Sequence, residues 1–192
     1  MILFDVNAAV GKSCTGVPEF ATVRERLAHM DRLGISRAVV WNTESRSDNV
    51  TQANAELRAE LGRLPAAQRC RLIPAFTISP LLQYERDGVE KLRRNLTDQA
   101  PACLRFTPGL IAFKLSQLEP VIRALPASNP VLIMGQGDAD ARDVLAFTDL
   151  FPELRLILTE TMWPHQQYIL DLMRRRQNIL MEKSFAITGN CP

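Results

Sequence analysis

Polar residues that could do acid–base chemistry stand at the ends of apolar segments in this sequence. Asp5 and Asn7 close the first apolar segment, and Glu160 follows a later one. His165 comes directly after Pro164 at a predicted helix start, where the helix dipole favours the neutral imidazole. Ligands of parallel α/β proteins bind at the carboxyl ends of strands, so these groups are predicted to meet there. Asp5, Glu160 and His165 are therefore the predicted catalytic acid–base set.

The same residues allow two other interpretations. The oxygens of Asp5, Asn7 and Glu160 are of the kind that binds Mg²⁺ or Mn²⁺. They can equally form a hydrogen-bonded polar plug, which is the simpler arrangement because it needs no added ligand. His165 can likewise be a surface residue in the first turn of a helix.

Four side chains are predicted to bind a small-molecule substrate: Asn7, Trp41, Arg105 and Trp163. Trp41 ends the second strand, and Trp163 can form the wall of a pocket or fix its loop to the next helix. Arg105 lies inside an apolar strand, where a guanidinium needs a partner. That partner is either a substrate carboxylate, bound through two hydrogen bonds, or an internal acid such as Asp5 or Glu182.

The elements that must position these residues alternate between short apolar strands and amphipathic helices, about 25 residues apart. Near-continuous apolar runs are typical of parallel strands covered on both faces. The first helix carries a capping box, Thr22 with Glu25, and ends at Gly34. The predicted strands are Ile2–Val6, Ala38–Asn42, Arg71–Thr77, Cys103–Phe106, Val131–Met134, Leu154–Thr159 and Asn178–Lys183.

Seven such repeats predict an α/β fold, either a (β/α)8 TIM-barrel-like domain or an open doubly wound sheet. A barrel of this type usually needs about 250 residues, and this chain has 192. The barrel is therefore predicted to be incomplete at its C-terminus and to lack the last βα unit. No linker divides the chain, so residues 1–192 are predicted to form one domain.

Composition excludes several classes of protein. A net charge of +2 is too small to indicate nucleic acid or a membrane surface as a partner. No apolar run is long enough to span a bilayer, and the first residues lack the features of a signal peptide. The four cysteines are scattered without a C-x-x-C pair, which favours reduced thiols in a cytoplasmic protein. Two histidines are too few for a histidine-rich metal centre.

In its order of segments the chain resembles the amidohydrolase-related family of metal-dependent TIM-barrel hydrolases and decarboxylases. The resemblance covers nearly the whole chain and depends on the ordered set of segments. The matching segments are 33–40 (LGISRAVV), 54–57 (NAEL), 71–80 (RLIPAFTISP), 104–108 (LRFTP), 151–158 (FPELRLIL) and 178–184 (NILMEKS).

The resemblance implies a metal site that this sequence does not reproduce. The family's first strand ends in Asp-x-His-x-His, and here Asn7 and Ala9 stand at the histidine positions after Asp5. Residues 131–136 offer no histidine, Glu160 replaces the next one, and the position of the last ligand lies beyond Pro192. Neutral imidazole is what holds zinc in such sites, so zinc is not supported and no cofactor is assigned.

The resemblance implies hydrolysis or decarboxylation of a small carboxylate- or ester-bearing molecule. A non-catalytic binding protein that keeps the barrel scaffold is the alternative. A truncated fragment is a third interpretation, because a missing eighth strand leaves open edges. An altered barrel or a homo-oligomer would cover those edges.

Overall fold

The computed structural model describes residues 3–12, 20–47, 49–97, 101–109, 111, 113–125, 130–161 and 166–182. Every paired strand in these ranges is parallel to its neighbour. The strands are β1 Leu3–Val10, β2 Ile35–Asn42, β3 Leu72–Pro74, β4 Phe76–Ile78, β5 Cys103–Phe106, β6 Val131–Gly135, β7 Arg155–Thr159 and β8 Ile179–Met181. The helices are α1 Val23–Leu33, α2 Val50–Gly62, α3 Ala66–Arg69, α4 Gly88–Leu96, α5 Glu119–Arg123, α6 Ala141–Leu150 and α7 Gln166–Arg175.

The strands are hydrogen-bonded in the order of the chain, β1-β2-β3 and β4-β5-β6-β7-β8. A doubly wound sheet reverses its strand order, so that alternative was wrong for the described residues. The predicted strand Arg71–Thr77 is divided into β3 and β4 at Ala75. Its N–H still donates to the carbonyl oxygen of Val40 at 2.8 Å, which links the two parts through β2.

Local signals explain most helix boundaries. Thr22 and Glu25 form the predicted capping box of α1, and Gly34 ends the helix in the left-handed conformation. The sequence also predicts a helix start near Ser47 or Asp48, but a 3-10 helix occupies Thr43–Ser47, and Asn49 caps α2.

Several strand boundaries also differ from prediction, and β2 begins at Ile35, before the predicted Ala38. Strand β1 continues to Val10, past the predicted end at Val6, with irregular pairing to β2 between Asp5 and Ala8. Asn7 and Ala9 therefore lie within the strand and not after it. Strand β8 ends at Met181, and the predicted end at Lys183 lies outside the described residues.

The two faces of the sheet bury different residues. On one face, strand residues such as Leu104, Leu132 and Leu156 pack with helix residues in one large apolar cluster. Alternate residues point to the other face, where a smaller apolar cluster forms. Its buried members are Val39, Trp41, Ala75, Cys103, Val131 and Ile133.

The sheet curls but does not close. Within the described ranges β8 has no hydrogen-bonded pairing with β1, so a gap separates the first and last strands. Leu3 and Phe4 on β1 and Leu180 on β8 are exposed beside it, at 36%, 47% and 45%. The structure therefore shows parallel α/β architecture with barrel-like strand order. No described helix is long and apolar enough to cross a membrane.

Candidate functional site

A cavity of about 520 Å³ runs along β1, from Ile35 at the start of β2 to Arg46 beyond its end, and the residues after β7 and β8 line it at the carboxyl ends of the strands. Its polar lining includes Asn7, Arg46, Glu160 and Glu182, and the Trp41 ring forms an apolar part of the wall. Carboxyl ends of parallel strands are where ligands of such folds bind. The cavity is therefore the candidate site.

The Asn7 side chain is the centre of the hydrogen-bond network in this site. Its Oδ1 accepts from Trp41 Nε1 at 3.0 Å and from Arg105 Nη1 at 3.2 Å. Its Nδ2 donates to Glu160 Oε1 at 3.3 Å. One amide thus connects residues on β1, β2 and β5 with the residue that follows β7, as the predicted convergence of Asn7 and Glu160 requires.

Arg105 lies fully buried behind Asn7, with its guanidinium carbon 4.5 Å from the centre of the Trp41 ring. Nη1 also donates to Thr159 Oγ1 at 3.2 Å, and Nη2 lies 3.5 Å from Glu160 Oε1. Burial lowers the pKa of Arg105, and the negative charges of Asp138, Glu160 and Glu182 oppose that shift. Among the described residues its Nε and Nη2 atoms have no hydrogen-bond partner.

The predicted internal partner of Arg105 was Asp5 or Glu182, but the structure gives this role to Glu160. Asp5 instead forms an ion pair with Arg26 of α1. The other Asp5 oxygen, Oδ1, accepts from the backbone N–H of Asn7 at 2.8 Å. Asp5 therefore borders the cavity, while its carboxylate is directed to α1 and does not join the network of Asn7 and Glu160.

Glu160 is the carboxylate that the cavity exposes. Its side chain is 44% exposed, and Oε1 lies 3.9 Å from Arg46 Nη2 on the far side from Arg105. Its backbone is in the left-handed region at φ 57°, which is unfavourable for a residue with a side chain. Glu182 Oε2 accepts from the Glu160 N–H at 3.4 Å, which helps to fix this conformation. Such strain is common at functional sites.

Asp138 is a site residue outside the predicted catalytic and substrate-binding sets. It follows β6, and its Oδ2 accepts from the Gly135 N–H at 2.7 Å. A Cβ added at Gly135 would lie 3.0 Å from this oxygen and 3.2 Å from Glu160 Oε2, so glycine permits both carboxyl groups to approach. Burial raises the pKa of Asp138, and the Arg105 charge partly offsets the effect. A glycine ending an apolar strand, followed three residues later by an acid, was the available signal.

Arg46 was also missed from the sequence. It lies in the 3-10 helix after β2, with its guanidinium carbon 5.2 Å from the Trp41 ring centre. Nothing in the polar run Thr43–Ser47 distinguishes this arginine from a solvated one, because its role depends on Glu160, more than 100 positions away.

The donors present do not fit the metal centre that the resemblance implies. Within the described ranges no group of three or more His, Cys, Asp or Glu side chains could hold a metal ion. The Asn7 oxygen already accepts two hydrogen bonds, and Ala9 offers no donor atom. Trp163 and His165 lie outside the described residues, so their predicted roles remain predictions.

Comparison with known proteins gives a structural likeness. No protein-family model matches the chain, and no curated protein matches it. The fold is similar to that of a probable 2-pyrone-4,6-dicarboxylic acid hydrolase from Acinetobacter baumannii, solved with citric acid bound, at a TM-score of 0.53 and 15% sequence identity. The match covers 83% of this chain and 58% of that one, so the chain spans little more than half of that protein. At this identity the likeness shows the fold alone.

Proposed function

We propose that the chain is a hydrolase related to the amidohydrolases that acts on a small carboxylate- or ester-bearing molecule. The observation that carries the proposal is the exposed Glu160 carboxylate, fixed by Asn7 and Arg105 at the carboxyl end of a parallel sheet. The fold likeness to a protein described as a probable dicarboxylic acid hydrolase supports the reaction class. Decarboxylation of the same class of molecule belongs to the same proposal.

Glu160 would act as general base in ester hydrolysis. Its carboxylate accepts a proton from water while the water oxygen bonds to the ester carbonyl carbon. The carbonyl oxygen becomes negative, and Arg46, 3.9 Å from Glu160, can stabilise it. When the tetrahedral intermediate collapses and the C–O bond to the leaving group breaks, the leaving oxygen takes the proton from Glu160. No step is routed through a metal, because the described side chains do not have the donor set for one.

Substrate binding would use the remaining cavity residues. Arg46 is partly exposed and can pair with a substrate carboxylate, and the Trp41 ring offers an apolar wall. Arg105 is too deeply buried to be a first contact, so its role is to hold Glu160 and Asn7 in place. Asp5 would orient Arg26 at the edge of the cavity.

The test is hydrolysis by the whole chain of a panel of small aryl esters and lactones with and without a free carboxylate. We expect turnover of a carboxylate-bearing ester, lost in Glu160→Gln and reduced in Asp5→Asn, while both variants stay folded by circular dichroism. Glu119→Gln is the matched control, because Glu119 makes only an i,i+4 pair with Arg123 on the surface. Turnover that persists in Glu160→Gln would refute the assigned base.

A non-catalytic binding protein is the second candidate, and the satisfied Asn7 amide favours it. All three polar bonds of this side chain are internal, as expected for a polar plug. In that case small di- or tricarboxylates raise the melting temperature of the protein, and no ester in the panel is hydrolysed. An Arg46→Met variant should then lose the thermal shift.

A further inference from the structure

A second cavity, separate from the Glu160 site, lies between helices α2 and α4. Its volume is about 280 Å³, and it shares no lining residue with that site. Thr51, Ala55 and Arg58 line it from α2. Lys91, Arg94 and Asn95 line it from α4. The lining therefore holds three cationic side chains and no carboxylate.

Hydrogen bonds fix the side chains of two of these cations. Arg58 Nη1 donates to the backbone oxygen of Arg94 at 2.7 Å and to Asn95 Oδ1 at 3.1 Å. Lys91 Nζ donates to the backbone oxygen of Arg86 at 3.0 Å. The acceptors are neutral, so the bonds position the positive charges without neutralising them.

Two carboxylates lie near the cavity. Glu90 pairs with Arg94 at 3.6 Å and with Arg93 at 3.5 Å, whereas Glu85 accepts from the neutral Thr51 hydroxyl and keeps its negative charge at the rim. Arg58 and Lys91 make no ion pair with any residue that the structure describes. Two positive charges on facing helices are therefore left for an anion.

We propose that this cavity binds a dianionic phosphate group, as in a small phosphate monoester. A tetrahedral phosphate has oxygens in several directions, so α2 and α4 can both donate to it. Arg58 offers a planar guanidinium and Lys91 a compact charge, and both bind phosphate well. The charge of a phosphate monoester, close to −2 above its second pKa, matches the two unpaired cations. The Thr51 hydroxyl and the Asn95 amide add neutral groups at the rim.

The experiment is a titration of the ¹⁵N-labelled whole chain with phenyl phosphate at pH 8, followed by amide chemical shifts. We expect saturable shifts at residues 51–58 and 91–95, without shifts at Asn7 or Glu160. Lys91→Gln should weaken binding by at least about tenfold, as expected for losing one charge-assisted hydrogen bond. Arg175→Gln is the matched control, with the same change of net charge on another helix, and its affinity should stay within about twofold.

Several outcomes would overturn the proposal. Chemical shifts that do not saturate with phenyl phosphate would overturn it. Equal loss of affinity in Lys91→Gln and Arg175→Gln would also overturn it, because that result would show general charge attraction. Tighter binding of a single-stranded oligonucleotide than of phenyl phosphate would assign the surface to nucleic acid instead. Arg58→Gln can fail to fold because Arg58 joins α2 to α4, so Asn95→Asp serves as the second variant. Its added negative charge should abolish phosphate binding. Neither result depends on ester hydrolysis.

Discussion

The ion pair between Glu160 and Arg105 allows a quantitative test of the site. Arg105 is completely buried, while the Glu160 side chain is 44% exposed. Glu160→Gln keeps an oxygen that can accept from Asn7 Nδ2, and it removes the one carboxylate within 4 Å of the Arg105 guanidinium in the described structure. The substitution therefore removes the nearest counter-charge of a buried cation and leaves the more distant carboxylates of Asp138 and Glu182.

The cost follows from the burial of each partner. Breaking a fully buried ion pair by removing one partner destabilises a protein by roughly 3–5 kcal/mol. Because water reaches nearly half of the Glu160 side chain, this figure has to be reduced, and we expect about 1–2 kcal/mol. With a urea m value of about 2 kcal/mol/M, the unfolding midpoint should fall by roughly 0.5–1 M.

A double-mutant cycle separates this pair from other effects. Urea unfolding is measured for the wild type, Glu160→Gln, Arg105→Met and the double variant. We expect Glu160→Gln to cost less than about 0.3 kcal/mol once Arg105 is methionine, because no buried cation remains. The same cycle with Arg46→Met should give a coupling below about 0.5 kcal/mol, since both charges of that pair are partly solvated at 3.9 Å. Equal costs of Glu160→Gln in both backgrounds would refute the reasoning.

Three other measurements test further parts of the structure. Gly11→Ala should lower the free energy of unfolding in urea by roughly 2–4 kcal/mol, because φ is 96° and a Cβ would lie 2.3 Å from Asn42 Oδ1. Gly34→Ala, with open space at φ 68°, should cost about 1 kcal/mol. Equal costs of the two substitutions would contradict the close contact at Gly11. Burial raises the pKa of the Cys103 thiol to about 11. Iodoacetamide at pH 8 should therefore label Cys103 only when the protein is unfolded in urea, as measured by peptide mapping. Labelling of the folded protein as fast as of the unfolded one would disprove this burial. Burial raises the pKa of Asp138 in the folded protein. The folded state therefore favours the protonated carboxyl group. This contribution to stability is fully present below the pKa of an unfolded aspartate, and it is lost as the pH rises through the folded pKa. Asp138→Asn should therefore raise the melting temperature at pH 7 and have little effect at pH 3, and a lower melting temperature at pH 7 would contradict it.

The places of most strands and the ends of α1 could be predicted from the sequence because each has a local cause. Strands β2, β5, β6 and β7 are recognisable as apolar runs, and Thr22, Glu25 and Gly34 mark the ends of α1 through backbone hydrogen bonds within a few residues. The predicted strand Arg71–Thr77 was right in place but is divided at Ala75, directly after Pro74, which has no N–H for strand pairing.

The partners of charged residues could not be predicted in the same way. A buried arginine in a strand requires a counter-charge, and that inference placed an internal acid beside Arg105. Which acid it is depends on the curl of the sheet and on the left-handed backbone of Glu160, neither of which has a local signature. Asp5 was assigned to the network from its position alone, and its pairing with Arg26 depends on how α1 packs against β1.

The unpaired edge of β1 has a consequence for how the protein resists opening. Strand β6 lies at the centre of five paired strands, so its amides should exchange with deuterium most slowly, while β1 pairs on one side only among the described strands. Asn7 belongs to this weakly held strand and is tied across the sheet through Arg105 and Glu160. A ligand that binds both Asn7 and Glu160 would link β1 to the end of β7 and stabilise it there. Binding of such a ligand could then be measured as slower deuterium exchange of the β1 amides, even before any reaction is known.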